Sequence, residues 1–460
     1  MRSLFCIFRY MNRIAITKTI LLLFVSCLAV ANARQYTIES LKNPSTNQQN
    51  IALLSQVQKT IDVNRKSLKK LQWLEVEKNE IVKVCIDGKI PVWETSLNAA
   101  IYNDSCIVFQ VPTLIGVDSL KAYFRKDGKS HKINLAIGMK YLNFKNEKVL
   151  LGFNKYKKEG LIKYGHKVED PERIVSVTGT YLVDKYPVTN CEVTQLLWDS
   201  IPMNPSFSQR STMIEFAEKW AQRKRTNIRN ENCAVHDSAA CTILLYQAMK
   251  YANARSLKDG LKPYYIFSDT IAYKQKILSK GSYIIGYFDF DLQENDFVKV
   301  TVDFSSDGYR LPFYDEWMMF ARGGDKKNIA PWGDESADIE EVQKYALFDK
   351  WEHYYESEPV GQLTPNGYGL YDFFGLVWEH VLFEEINPFL ALQGRPSCAK
   401  GGDNHVTLQY NEQAVAPYWK HINYGYNETN YNGGFPAGFR LIRNIGNNAK
   451  WKESKTNDKQ

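Results

Sequence analysis

Residues 307–324 read DGYRLPFYDEWMMFARGG, and their pattern predicts one short, tightly bounded helix. Pro312 fits a first turn, where its missing N–H costs nothing. Asp315 and Glu316 suit the positive end of the helix dipole and Arg322 the negative end. Gly323-Gly324 then supply a stop that needs no Cβ. Phe313, Trp317 and Phe320 recur on one face and are expected to turn inward. So many large rings on so short a helix point to a core filled by aromatics and loops.

Similar pieces lie on either side. In PVTNCEVTQLLWD, residues 187–199, Thr189 and Glu192 have the spacing of a capping box, and Val193, Leu196 and Leu197 form an apolar face. In HDSAACTILLYQAMKYANARSLKDG, residues 236–260, Asp237 is placed to cap a helix carrying Ala240, Leu244, Ala248 and Tyr251, and Gly260 to close it. Short helices, scattered glycines and rings of this kind cannot build a large layered sheet.

Upstream, the polar stretch KYGHKVEDPER at 163–173 is the expected linker. Before it the hydrophobic period is two. IVKVCIDGKIPVWE (81–94) and LKAYFRKDGKSHKINLAI (120–137) each place an Asp-Gly pair between strand-like runs, and KYLNFKNEKVLLGF (140–153) repeats the pattern around Asn146. Residues 81–162 are therefore expected to form a small antiparallel β-domain, a sandwich. Over 47–74, Ile51, Leu54, Gln58, Ile61, Leu68 and Leu71 follow helical spacing, which makes 34–80 a helical segment. Residues 446–460 read as a polar tail.

The chain of 460 residues is 44% hydrophobic and 24% charged, ordinary for globular protein, with 13% aromatic residues. From Met11 a basic start, an apolar run and Ala31-Asn32-Ala33 make residues 1–33 resemble an export signal. Cleavage after Ala33 is the better-fitting reading; lipid attachment at Cys27 is the alternative, which Phe24 and Leu28 fit poorly. Cleavage would remove Arg2, Arg9, Arg13 and Lys18, lowering the formal charge from +7 to +3, so nucleic acid is not implied. No other apolar run approaches the roughly 20 residues of a membrane helix. The expected location is secreted, periplasmic or cell-envelope, in a bacterium. Cys85 with Cys106 and Cys233 with Cys241 are candidate disulfides, with buried free thiols as the alternative.

Seven pieces taken in order resemble the formylglycine-generating enzyme family, or sulfatase-modifying factor domain: YLVDKYPVTNCEVT (181–194), YANARSLKDGLKPYY (251–265), the opening motif, PWGDE (331–335), PVGQLTPNGYGLYDFFGLVWEHV (359–381), KGGDNH (400–405) and AGFRLIR (437–443). The resemblance implies that residues 174–445 form an α+β domain of C-type lectin-like fold with little regular secondary structure, and strands at Ile174–Lys185 and Gly438–Ile442 near its two ends. It also implies an oxidase that converts a cysteine of a sulfatase peptide, using oxygen and copper(I) held by two thiolates. Those cysteines would follow Lys400-Gly401-Gly402, at positions filled here by Val406 and Asn411. Copper(I) requires soft ligands, and no cysteine occurs after Gly402. The family's calcium asparagines fall on Leu347 and Leu376, which offer no side-chain oxygen to a hard cation.

Neither copper nor calcium is therefore an expected cofactor, and the oxidase chemistry is expected to be absent. Asp403, His405, His380 and His421 are the groups from which other metal chemistry would have to be built, with Glu379 and His405 the weak metal candidates. Trp378 and Glu379 are expected to serve packing and a buried hydrogen bond. Asp403, His405, Tyr410, Trp419, His421 and Tyr424 are the candidates for an inherited binding groove, since planar amphipathic rings stack on sugars or anchor peptides at low entropic cost. Two functions follow: a degenerate member of the family that binds a protein or glycan or serves as an envelope component, and an oxidase with an atypical ligand set.

Overall fold

In the computed structural model, the described residues are 34–37, 282–286, 296–325, 358–382, 397–400, 437–446 and 450–453, with most but not all of 52–151, of 173–196, of 238–272 and of 330–347. The chain divides into two compact units. The first takes residues 1–112 and 117–137, and the second takes 113–116 and 138–460.

The first unit is a β-sandwich. One sheet runs in the order β1 (Arg34–Thr37), β5 (Val92–Thr95), β8 (Gly116–Tyr123), β9 (Ser130–Ile137), β3 (Trp73–Val76). The other runs β2 (Lys59–Val63), β4 (Ile81–Ile86), β7 (Cys106–Gln110), β6 (Ala99–Asn103). Alternation decides which side chains point inward. Val84, Ile86, Ile107 and Phe109 from one sheet meet Trp93, Leu120, Ala122 and Leu135 from the other in a single core. Gly88 has φ 113°, but β4 and β5 belong to different sheets, so the expected Asp87-Gly88 hairpin between them is not formed. Cys85 and Cys106 stand opposite each other on β4 and β7 and form a disulfide. Cys233 and Cys241 lie outside the described residues.

Two further expectations are corrected in this unit. The helix over 47–74 is not formed: among its described residues only Ala52–Leu54 turn helically, while Lys59–Val63 form β2 and β3 begins at Trp73. Pairing overrides the spacing, because β2 lies parallel to β4 and β3 parallel to β9, which puts Val63, Leu74 and Val76 into the sandwich core. For the same reason the sheets are mixed rather than purely antiparallel.

In the second unit β10 (Met139–Leu151) pairs antiparallel with β11 (Arg173–Asp184) along its whole length. Residues 140–151 of KYLNFKNEKVLLGF thus lie in one long strand rather than a hairpin. Asn146, at φ 58°, is the extra residue of a bulge between Lys145 and Glu147, and its amide is taken by Thr178 Oγ1 at 3.1 Å. The first unit accordingly ends before Gly138, short of the expected 162. On the other edge of β11 lie β20 (Ile442–Asn444) and β21 (Lys450–Glu453). The residues read as a polar tail thus contribute a strand.

Helices are few and short. α1 (Asn190–Val193) opens on the predicted capping box: Thr189 N–H donates to Glu192 Oε2 at 3.0 Å, and Glu192 N–H to Thr189 Oγ1 at 3.3 Å. α2 runs Leu245–Lys258, later than the expected start, with Ala239 bridged to Thr189 instead of sitting in the helix. Asp237 lies outside the described residues, and Gly260 closes the helix at φ 69°.

β12 (Tyr265–Ala272), β13 (Ser282–Gly286) and β14 (Asp296–Val302) form a separate antiparallel sheet with β14 central. α3 (Tyr314–Arg322) is the helix of the opening motif, ended by Gly323 in the left-handed region. Trp317 and Phe320 are buried against β10, β11 and the Phe373-Phe374 pair, while Phe313 is half-buried beneath the Arg310 guanidinium. The core of this unit lies between α3 and the β10–β11 pair.

Candidate functional site

Five short strands set the geometry. β15 (Ala346–Leu347) runs parallel to β16 (Phe374–Gly375). β17 (Trp378–Leu382) lies between β18 (Ser397–Lys400), antiparallel, and β19 (Ala437–Gly438), parallel. In register, Glu379 stands opposite Lys400 on one flank and Gly438 on the other. The two ends of the segment that carries Asp403, His405, Val406, Tyr410, Asn411, Trp419, His421 and Tyr424 are thereby fixed beside Glu379. Those eight residues lie outside the described residues.

Glu379 is fully buried and fully engaged. Its Oε1 accepts from Arg440 Nη2 at 2.6 Å and Nε at 3.0 Å; its Oε2 accepts from Arg440 Nε at 2.7 Å and Trp317 Nε1 at 2.7 Å. Four donor contacts match the roughly four lone-pair positions of a carboxylate, which leaves none for a metal. Arg440 Nη2 also donates to the Tyr371 carbonyl at 2.8 Å, and the guanidinium lies 3.6 Å from the centre of the Phe373 ring. The opening motif, the VWE stretch and the GFR stretch thus meet at one buried pair.

Sequence reading singled out Glu379 without its partner. The signal was present: an arginine between Phe439 and Leu441 in an apolar strand end needs a buried counter-charge. Two more pairs follow the rule. Arg255 holds Asp184 through contacts of 2.8 and 2.9 Å, and Arg310 holds Glu316 through 2.6 and 2.7 Å.

His380, the next residue along β17, is 1% exposed. Its Nε2 lies 2.6 Å from the Ile243 carbonyl and therefore carries the proton, while Nδ1 has no hydrogen-bond partner. Burial drives its pKa down to about 4, against the raising effect of the Ile243 carbonyl. Asp372, at φ 56°, accepts the Gly361 N–H at 2.6 Å. Burial pushes its carboxyl up to about 6, although the Gly361 amide and Arg440 oppose the shift. His380 is thus a neutral core imidazole, whereas Asp372 titrates near neutrality.

The family model of the sulfatase-modifying factor enzyme 1-like domain matches residues 149–445, a span that includes all of these pieces. The chain belongs to this family. Chaperone protein LppX of Paenibacillus barcinonensis is 34% identical over 151 residues, 29% of this chain and 48% of its own length. The mouse formylglycine-generating enzyme is 33% identical over 112 residues, 21% of this chain and 30% of its own. The mouse inactive C-alpha-formylglycine-generating enzyme 2 is 40% identical over 77 residues, 16% of this chain and 25% of its own. The chain thus spans about half of the first relative and less than a third of the other two. Among solved structures, Treponema denticola variable protein 1 aligns at 17% identity and TM-score 0.38, covering 72% of this chain and 99% of that one.

Set against the family's two metals, the residues fit neither. The chain supplies no thiol after Gly402 for copper. At the positions that the resemblance gives to the calcium asparagines stand Leu347 and Leu376, and among the described residues no group of three or more His, Cys, Asp or Glu side chains converges on a cation site. No described helix is long and apolar enough to cross a membrane.

Proposed function

We propose that the chain is an exported, catalytically degenerate member of its family that binds a protein or glycan, or serves as a structural part of the cell envelope. The observation that carries the reading is the absence of any cysteine after Gly402, with Val406 and Asn411 where the thiolates would stand. Neither valine nor asparagine offers the soft, anionic sulfur that holds copper(I). The commitment of Glu379 to Arg440 and Trp317 supports it, since this carboxylate is not available as a substitute ligand. So do the relatives that are named as a chaperone and as an inactive enzyme, both of which fit a role in binding. The contact surface in this reading is the segment beyond Lys400, with Asp403, His405, Tyr410, Trp419, His421 and Tyr424 as its polar and aromatic elements.

The test is to load the purified chain anaerobically with copper(I), expose it to air with a cysteine-containing sulfatase-type peptide, and read bound metal and peptide mass together. No retained copper and an unchanged peptide are expected. Copper retained together with an aldehyde product would overturn the proposal in favour of an oxidase with an atypical ligand set, and His405→Ala would then abolish turnover.

A further inference from the structure

Leu347 and Leu376, far apart in sequence, are brought side by side. The β15–β16 pairing sets Leu347 opposite Gly375, and Leu376 N–H donates to the Leu347 carbonyl at 3.0 Å. The approach is so close that a Cβ on Gly375 would stand 1.9 Å from that oxygen, and Gly375 itself has φ 73°. Leu376 follows at φ 61°, a left-handed conformation that disfavours leucine and tolerates asparagine. The turn therefore has the backbone of an asparagine site with a hydrocarbon side chain installed in it.

That side chain is 2% exposed and packs in one small cluster with Ala239 and Val377, flanked by Leu347 and Val360. Five hydrocarbon side chains present no oxygen, whereas calcium takes six to eight. The local carbonyls are engaged as well: that of Leu347 by Leu376 N–H, and that of Ala239 by Asn190 Nδ2 at 3.2 Å. Burial of Leu376 offsets the conformational cost of its φ, which an exposed leucine at this turn would not do.

We infer that this turn has exchanged a cation cross-link for an apolar plug, in which Leu347 and Leu376 lock β15 to β16 and leave the C-terminal unit independent of calcium for its stability. The inference is separate from the copper reading, because it concerns other residues and a different metal.

The test is thermal unfolding of the full chain in millimolar calcium and in EGTA, for the wild type, Leu376→Met, Leu376→Asn and the double variant Leu347→Asn/Leu376→Asn. The wild-type midpoint is expected to be the same in both media. Leu376→Met, which keeps the volume and the unfavourable φ, should stay close to it. Leu376→Asn should fall by roughly 5 °C in EGTA even though the backbone suits it better, and the double variant should fall further. A Leu376→Asn midpoint at or above wild type in EGTA would show that the plug holds nothing. A calcium-induced rise in the wild type that the double variant lacks would show that the leucine turn still binds the ion. Should the double variant fail to fold, Leu376→Asn in EGTA decides alone, and a calcium-induced rise common to all variants would overturn the independence from calcium.

Discussion

Arg440→Leu is expected to destabilise the C-terminal unit by about 4 kcal/mol, because it leaves the fully buried Glu379 carboxylate with Trp317 Nε1 as its one remaining donor among those described. Leucine fills part of the vacated volume, so the loss is electrostatic and hydrogen-bonding in origin more than a cavity effect. The carbonyl of Tyr371 loses its donor in the same step. A surface ion pair would contribute about 0–1 kcal/mol and weaken with salt; this pair, with both side chains 0% exposed, should do neither. The coupling is checked by Glu379→Leu and by the double variant. Once the orphaned charge is removed, the double variant should lose at least 2 kcal/mol less than the sum of the two single losses. Urea unfolding at neutral pH gives all three numbers. A single-variant loss below about 1 kcal/mol, or strict additivity, would mean that the pair does not organise the junction of α3, β17 and the GFR stretch.

Local chemistry made much of this architecture legible. The Thr189–Glu192 box and the Gly323 and Gly260 helix stops follow from interactions between residues a few positions apart. What sequence spacing missed is non-local. Ile61 and Leu71 fit a helical stripe, yet β2 and β3 gain parallel partners in β4 and β9, and a single chain read by period cannot reveal which distant strand offers an edge. Asn146 shows a subtler failure. A left-handed asparagine between two runs of period two serves a hairpin or a bulge equally well, and only the unbroken partner strand β11 distinguishes them. The site divides in the same way. Leu347 and Leu376 were located by motif, but their packing into one cluster depends on the β15–β16 pairing. The Glu379–Arg440 pair spans 61 residues of sequence and required the fold.

His380→Gln should change how stability depends on acidity, by about 3 kcal/mol between pH 7 and pH 4. The folded imidazole titrates at about 4, pushed down from its ordinary 6.5 by burial. Between those values the unfolded chain binds a proton that the folded chain refuses, so the stability His380 contributes is present above 6.5 and is lost as pH falls towards 4. At about 1.4 kcal/mol per pKa unit the loss comes to about 3 kcal/mol. Asp372 acts with the opposite sign in nearly the same window. Its carboxyl is raised to about 6, so the folded chain holds a proton that the unfolded chain releases, and that stability is lost as pH rises through 6. Asp184, raised by burial against the pull of Arg255, shares the sign of Asp372. The wild type should therefore show a shallow acid dependence in which these contributions oppose one another. Glutamine places an amide where Nε2 now donates to the Ile243 carbonyl and carries no titrating group, so the variant retains only the carboxylate side of the balance. Its stability relative to wild type should rise steadily as pH falls from 6.5 to 4, whatever the offset between them at pH 7. Urea midpoints taken at pH 7, 5.5 and 4 read this difference directly. Parallel curves for the two proteins would mean that the imidazole is hydrated or charged in the folded state, and that β17 does not enclose it as a neutral core residue.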